Sequence, residues 1–265
     1  MQGRPRPSMP SGRALRTPER LALRMSFRPA TGLMTRLKRT EHPAYRHILL
    51  RGRGLAHEAV KGHCVRRLTI RRYLRSAPAP ALQIGAGPIR LDGWLNSDLI
   101  AGDIHLDLER RLPLPDGCLA YVFGEHVIGT LSQRDGVALF AELHRVLRPR
   151  GVLRLTTPDL AKLIAIYRDE NPMVPPGAYG GFLGELTGKS HQTACQVLND
   201  ALRLWGARHT YDEEDLTRKL EAAGFDAVER VEPDESRHAA LRGLERHREG
   251  WVNQAEALCV EATRG

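Results

Sequence analysis

The sequence predicts an α/β protein whose mostly parallel sheet is covered by helices on both faces. Two observations carry that expectation. From residue 81 onward, short apolar runs alternate with longer amphipathic stretches. Several of the short runs stop at glycine or aspartate, as strands do where a sheet opens toward a ligand. A chain of 265 residues with 42% hydrophobic and 27% charged residues has the balance of a packed globular protein, which excludes collagenous, wholly disordered and polytopic membrane chains.

The elements follow in order. Ala81–Ile84 reads as a short buried strand ending in Gly85-Ala86-Gly87. Trp94–Leu99 is a second strand carrying Asp98, Ile104–Leu106 a third ending at Asp107, and Leu119–Phe123 a fourth. Arg134–Leu147 places Val137, Phe140, Leu143 and Val146 at helical spacing. Pro149-Arg150-Gly151 reads as a turn before a fifth strand, Val152–Thr156, and Pro158–Tyr167 as a helix with proline in its first turn. Residues 170–208 read as an inserted segment, its start broken by Pro172, Pro175-Pro176 and Gly177 to Gly181, with a helix over His191–Leu204. A helix over Asp212–Ala223 stops at Gly224, the residue suited to a left-handed cap. A sixth strand at Ala227–Val231, a helix over Ala239–Glu249 and a last strand at Ala255–Ala262 complete the body, residues 79–265. No internal repeat is visible.

Ahead of that body, charge is concentrated. The net charge is +9, and residues 1–75 hold 19 Lys and Arg against three acids, Glu19, Glu41 and Glu58. Residues 41–78 read as a helical extension with a basic face, a packing helix or lid, ended by the linker Ser76-Ala77-Pro78-Ala79-Pro80. Residues 1–40 carry Pro, Gly and Arg without an apolar period and read as disordered. Residues 1–24 are open to being upstream sequence, with Met25 or Met34 as later starts. A basic arm suits nucleic acid or an anionic surface. Only five of the 40 bases are lysine, an arginine bias typical of GC-rich coding, and no aromatic residues interleave the basic ones, so nucleic acid is not the favoured partner. No run approaches the roughly 20 apolar residues of a spanning helix, and no secretory signal is visible. Cys64, Cys118, Cys195 and Cys259 form no CxxC pair, which suggests free thiols, no metal centre and a cytoplasmic location.

The glycine bend poses the question of ligand. In the dinucleotide pattern G-x-G-x-x-G the third glycine opens a helix; here that position is Arg90, Pro88 follows Gly87, and the next strand begins near Trp94. That leaves too little chain for a crossover helix and its phosphate-binding N-terminus. The acids Asp98, Asp107 and Glu125 at or near successive strand ends accept hydroxyls and favour positive charge, and repel phosphate. S-adenosylmethionine, with a sulfonium, an ammonium and a ribose but no phosphate, agrees with that chemistry.

The runs LQIGAGPIRLDGWLNSDL, DIHLDLERRLPLPDGCLAYVFGEHVIGTL and ELHRVLRPRGVLRLTTPDL resemble class I S-adenosylmethionine-dependent methyltransferases, in particular the bacterial methyltransferase-11-like group with a GW-x-N-x-D segment after its first motif. HTYDEEDLTRKLEAAGF and ALCVEA extend the likeness over about residues 80–263. The resemblance implies a Rossmann-like seven-stranded sheet whose last strand runs antiparallel between strands five and six. It implies that Gly85, Ala86 and Gly87 pass under the methionine part of the cofactor, Asp98 holds the ribose, Asp107 and Leu108 flank the adenine, and Gly124, Glu125 and His126 face cofactor and acceptor. Two departures stand out: the Glu-His pair usual after strand four is missing from His126-Val127-Ile128-Gly129-Thr130, and Leu119-Ala120 replaces an aromatic-aspartate pair.

A hydroxyl acceptor needs a base within hydrogen-bond reach. His126, just beyond a strand end, and His209, in WGARHTYD, are the candidates; each has an alternative as a packing or loop-anchoring residue. Asp159 is either a ligand contact or a helix cap. The expected activity is methyl transfer to a small-molecule or glycan-type acceptor, at oxygen, with segment 170–208 forming part of the acceptor pocket. The rivals are an RNA methyltransferase using the basic arm, a non-catalytic cofactor-binding protein, and a nicotinamide enzyme. Nothing in the sequence sets the oligomeric state.

Overall fold

The computed structural model describes residues 65–246 and 250–265. The expectations for residues 1–40 and for most of the extension over 41–78 lie outside the described residues. What is described of that extension is a helix, α1, at residues 65–76. Ile70 is buried, and Tyr73 and Leu74 pack beside it on the main core. The Tyr73 hydroxyl donates to the carbonyl of Ala81 or Gly93, each at 2.9 Å, which seats α1 at the start of the first strand.

Seven strands form one sheet: β1 (Ala81–Ile84), β2 (Leu95–Asp98), β3 (Ile104–His105), β4 (Leu119–Glu125), β5 (Leu147–Pro158), β6 (Phe225–Val231) and β7 (Ala257–Arg264). Their order is β3-β2-β1-β4-β5-β7-β6. The strands from β3 to β5 pair in parallel, and β7 runs antiparallel to both neighbours, β5 and β6. This is the topology the resemblance implies. All four residues of β1 are buried, as expected of a central parallel strand.

The helices after α1 are α2 (Gln133–Val146), α3 (Leu160–Tyr167), α4 (Ala178–Thr187), α5 (Ala194–Ala201), α6 (Glu213–Ala222) and α7 (Trp251–Glu256). Strand alternation divides the core. Leu82, Ile84, Val122, Leu153, Leu155, Leu258 and Val260 point to one face, where α1, α2 and α6 cover them. Phe123 and Val152 point to the other, where Leu241 and Leu244 close over them. A third, separate cluster joins the insert to α3 through Leu163, Tyr179, Leu183 and Ala201.

Three expectations need correction, and one helix is new. The helix expected over Ala239–Glu249 is, among the described residues, only one 3-10 turn at Ala239–Leu241. Its continuation is diverted because Glu245 turns inward to Arg154, which is wholly buried on the second face of the sheet. Arg154 donates to Glu245 Oε1 and Glu261 Oε1, each at 2.7 Å, and to the carbonyls of Glu235 and Glu232. The turn at Pro149 to Gly151 lies within β5: pairing with β4 jumps from Leu119↔Leu147 to Tyr121↔Val152, and Arg150 takes φ 63°. The glycines after Pro176 do not break the chain. Gly177, at φ 74°, starts α4, which passes through Gly180 and Gly181 because Tyr179 and Leu183, one turn apart, are both buried. Helix α7, finally, has no counterpart in the sequence reading.

Candidate functional site

The chain leaves β1 toward β2 and β3 and then returns to the other side of β1 for β4. That reversal marks the region beyond the carboxyl ends of β1 and β4, the place where open α/β sheets bind ligands. Residues 85–94 join β1 to β2 through turns and coil with no helix, so the helix N-terminus that holds a diphosphate is absent there.

The bend itself is tied to β2. Gly85 and Gly87 take φ +64° and +55°, conformations that a side chain strains. A Cβ on Gly85 would run into the Val127 side chain. Gly87 N–H donates to Asp98 Oδ2 at 3.1 Å, and the N–H groups of Ile100 and Ala101 donate to Oδ1 at 2.8 and 3.3 Å. A carboxylate has about four acceptor positions, so Asp98, only partly buried, keeps about one for a ligand. Ala86 is buried, with its N–H bonded to Ser97 O at 2.9 Å.

The other sequence candidates divide. Asp107, two residues past β3, accepts from Glu109 N–H at 3.1 Å and pairs with Arg110 at 3.3 Å. Leu108 packs half-buried on the main core. Gly124 and Glu125 belong to β4 itself rather than to the loop after it. Gly124 is held to glycine by Ile84, whose Cγ1 lies 2.8 Å from where a Cβ would stand. Glu125 is 3% exposed and points to the second face of the sheet, where it accepts from Arg246 N–H at 3.1 Å. Asp159 caps α3 by accepting from Ala161 N–H at 2.9 Å.

His126 and His209, remote in sequence, line one small cavity of about 30 Å³ together with Gly129, Thr157, Trp205 and Thr210. Such a space holds about one water-sized group. His126 follows β4 at φ 51°, its N–H on Thr156 O at 2.8 Å. The segment bearing His209 is stitched to the loop after β4, because the N–H groups of Arg208 and His209 both donate to Gly129 O. His209 Nε2 lies 3.1 Å from Asp215 Oδ2, and its ring meets Tyr211 edge-on at 4.5 Å. Burial pushes the Asp215 carboxyl up, but hydrogen bonds from Lys219 and His209 outweigh it and hold the group below its ordinary value. An ionised Asp215 only accepts, so neutral His209 carries its proton on Nε2 and keeps a lone pair on Nδ1. That is the arrangement of a base oriented by a carboxylate.

Thr157 escaped the sequence reading: it contributes a buried hydroxyl with no hydrogen-bond partner among the described residues. Its burial carries no sequence signal, because it depends on how the insert folds back on β5. Trp205, which the sequence offers as a pocket wall or, more readily, as core packing, is 40% exposed and forms part of the wall. Cys259 is no nucleophile: burial pushes its thiol up to about 12.

No family model matches the chain, and no curated protein matches it. Solved structures do. A protein from Thermotoga maritima, described as an S-adenosylmethionine-dependent methyltransferase and possible histamine N-methyltransferase, is 14% identical, with 83% of this chain and 99% of that one covered at a TM-score of 0.41. An S-adenosylmethionine-dependent methyltransferase from Mesorhizobium loti is 17% identical, with 74% and 98% covered at 0.40. Another from Archaeoglobus fulgidus is 16% identical, with 79% and 98% covered at 0.41.

Proposed function

We propose that the protein is an S-adenosylmethionine-dependent methyltransferase that methylates a hydroxyl of a small-molecule or glycan-type acceptor. The observation that carries this reading is the tie between Gly87 and Asp98 at the carboxyl ends of β1 and β2. It sits in a sheet whose one antiparallel strand, β7, lies between β5 and β6. The donor set there fits the cofactor: a bare glycine bend, two partly exposed carboxylates at Asp98 and Asp107, and no helix N-terminus for phosphate. Asp98 holds the ribose hydroxyls, Asp107 and Leu108 border the adenine, and the bend Gly85-Ala86-Gly87 passes under the methionine part, with Gly124 paired beside Ile84 at its base.

When bound, S-adenosylmethionine supplies a methyl group already activated by its sulfonium, so the protein's work is alignment and proton removal. His209, oriented by Asp215, takes the proton of the acceptor hydroxyl; His126 shares the same cavity and completes its polar wall.

Calorimetric titration with S-adenosylhomocysteine and with NAD tests the reading. The wild type is expected to bind the former and not the latter. Asp98→Ala is expected to weaken binding about 10- to 100-fold, the effect of a hydrogen bond to a charged group. A wild type indifferent to S-adenosylhomocysteine, or an Asp98→Ala variant that binds it equally well, would overturn the assignment.

A further inference from the structure

Helix α1 keeps one face on the core and turns the other outward. Ile70 is buried, and Tyr73 and Leu74 pack beside it. Leu68 precedes Ile70 by two residues, about 200° away around the helix, and so stands on the far side. It is 58% exposed, the highest value of any large apolar side chain among the described residues, and Val65, one turn before it, is 55% exposed. Arg71 and Arg72 follow Leu68 by one turn and Arg75 by two, so the three exposed arginines share that outer face with it.

We propose that this face is a docking surface for an anionic lipid bilayer, with Leu68 and Val65 entering the headgroup region and Arg71, Arg72 and Arg75 pairing with lipid phosphates. Charge selects the class of partner. Arg67, Arg71, Arg72 and Arg75 make no ion pair among the described residues, and no acid occurs between Glu58 and Asp92. The face therefore calls for a negatively charged occupant. The chain before α1 does not supply one, because residues 1–64 hold 14 Lys and Arg against three acids. A second α1 has the same sign and is repelled likewise. Between a bilayer and a nucleic acid, the apolar pair decides. Nucleic acid uses arginine for its phosphates and aromatic side chains for unstacked bases. The one aromatic residue of α1, Tyr73, packs on the core and has its hydroxyl on backbone carbonyls. Leucine and valine beside arginines suit the boundary between headgroups and acyl chains, where apolar burial adds to the attraction of anionic lipid.

The helix is seated near both ends: Tyr73 holds it to the start of β1, and Arg66 Nη1 donates to His105 O at 3.4 Å at the carboxyl end of β3. A helix fastened to the core in this way lies along a bilayer rather than across it, and no helix among the described residues is long and apolar enough to cross one. The surface stands whatever the glycine bend binds.

The test is co-sedimentation of the full chain with vesicles of phosphatidylcholine alone, or of phosphatidylcholine with about one-third phosphatidylglycerol, read as the lipid concentration at half-binding. We expect binding to the anionic vesicles and little to the neutral ones. Arg71→Gln, Arg72→Gln and Arg75→Gln combined are expected to weaken it about 100-fold, roughly fivefold for each charge. Leu68→Gln, which alters no charge, is expected to weaken it about fivefold. These side chains are exposed, so the melting temperatures should match that of the wild type. Leu68→Trp is expected to add a fluorescence that brominated anionic lipids quench. A wild type indifferent to anionic vesicles would overturn the proposal. So would variants that bind them as the wild type does, which would leave any binding to residues 1–64. If Leu68→Gln has no effect and the arginine variant loses poly-uridylate as strongly as it loses vesicles, the face belongs to nucleic acid instead. If vesicles do not bind and both variants abolish a concentration-dependent dimer, it belongs to a second copy.

Discussion

Tyr211 shows how much a single hydroxyl reveals about local packing. Its side chain is wholly buried between Phe140 and His209, and its hydroxyl has no hydrogen-bond partner among the described residues. A Cβ on Gly136 would approach that oxygen to 2.6 Å. Tyr211→Phe is therefore expected to leave the melting temperature unchanged or to raise it, since it removes an unsatisfied polar atom without removing the ring. Gly136→Ala is expected to destabilise by about 1–3 kcal/mol through overpacking, measured by urea denaturation. For the proposed chemistry, His209→Ala is expected to cut methyl transfer about 100-fold or more while S-adenosylhomocysteine still binds as in the wild type. The sequence made Asp98 legible because an acid closes an apolar run beside a glycine bend. The hydroxyls of Tyr211 and Thr157 were not legible, because only distant chain segments determine that they are buried.

Among the elements, the segment after β6 departs furthest from its sequence pattern. Leu241 and Leu244 have helical spacing, yet both serve as anchors of an irregular cover over Phe123 and Val152. The cover is locked by Arg154, Glu245 and Glu261, with Thr156 adding a hydrogen bond to Glu245 Oε1 at 2.9 Å. Losing the arginine leaves two carboxylates buried without a counter-ion. Arg154→Ala is expected to cost about 3–5 kcal/mol in chemical denaturation. A helical period alone does not reveal a charge waiting across the sheet, which is why the pattern over 239–249 misled. The opposite error occurred at α4, whose glycines hide a helix that forms only because Tyr179 and Leu183 find a core of their own. By contrast α2 and α6, each with a capping side chain and a steady apolar stripe, were readable to within a residue or two at each end.

For the molecule as a whole, acid is the condition under which the network of carboxylates loosens. Burial pushes Glu245 up, but Arg154 and the Asp234 N–H outweigh it, so its carboxyl titrates below the ordinary value of 4.5. Glu142 is likewise lowered, first by its hydrogen bond from Arg145. A group depressed in the folded state contributes stability that is complete above its unfolded value and lost as pH falls through the folded one. The melting temperature is therefore expected to fall as the pH drops below about 4.5. Glu142→Gln should flatten that dependence, as thermal melts across the acid range would measure. The mostly parallel sheet followed from the alternation of strands and helices, whereas its strand order, with β7 between β5 and β6, followed only from the resemblance, because pairing between distant strands leaves no local signal.

The place of β7 has a consequence for how the chain assembles. Strand β6 touches the sheet only through β7, and β7 is the last of the seven strands to be synthesised. As a nascent polypeptide, β6 must wait beside an exposed apolar edge at β5 until its neighbour leaves the ribosome, an interval of about a second or more at roughly 5–20 residues per second. Any truncation within β7 should thus strand β6 as well, and leave the edge of β5 open to pairing with other chains.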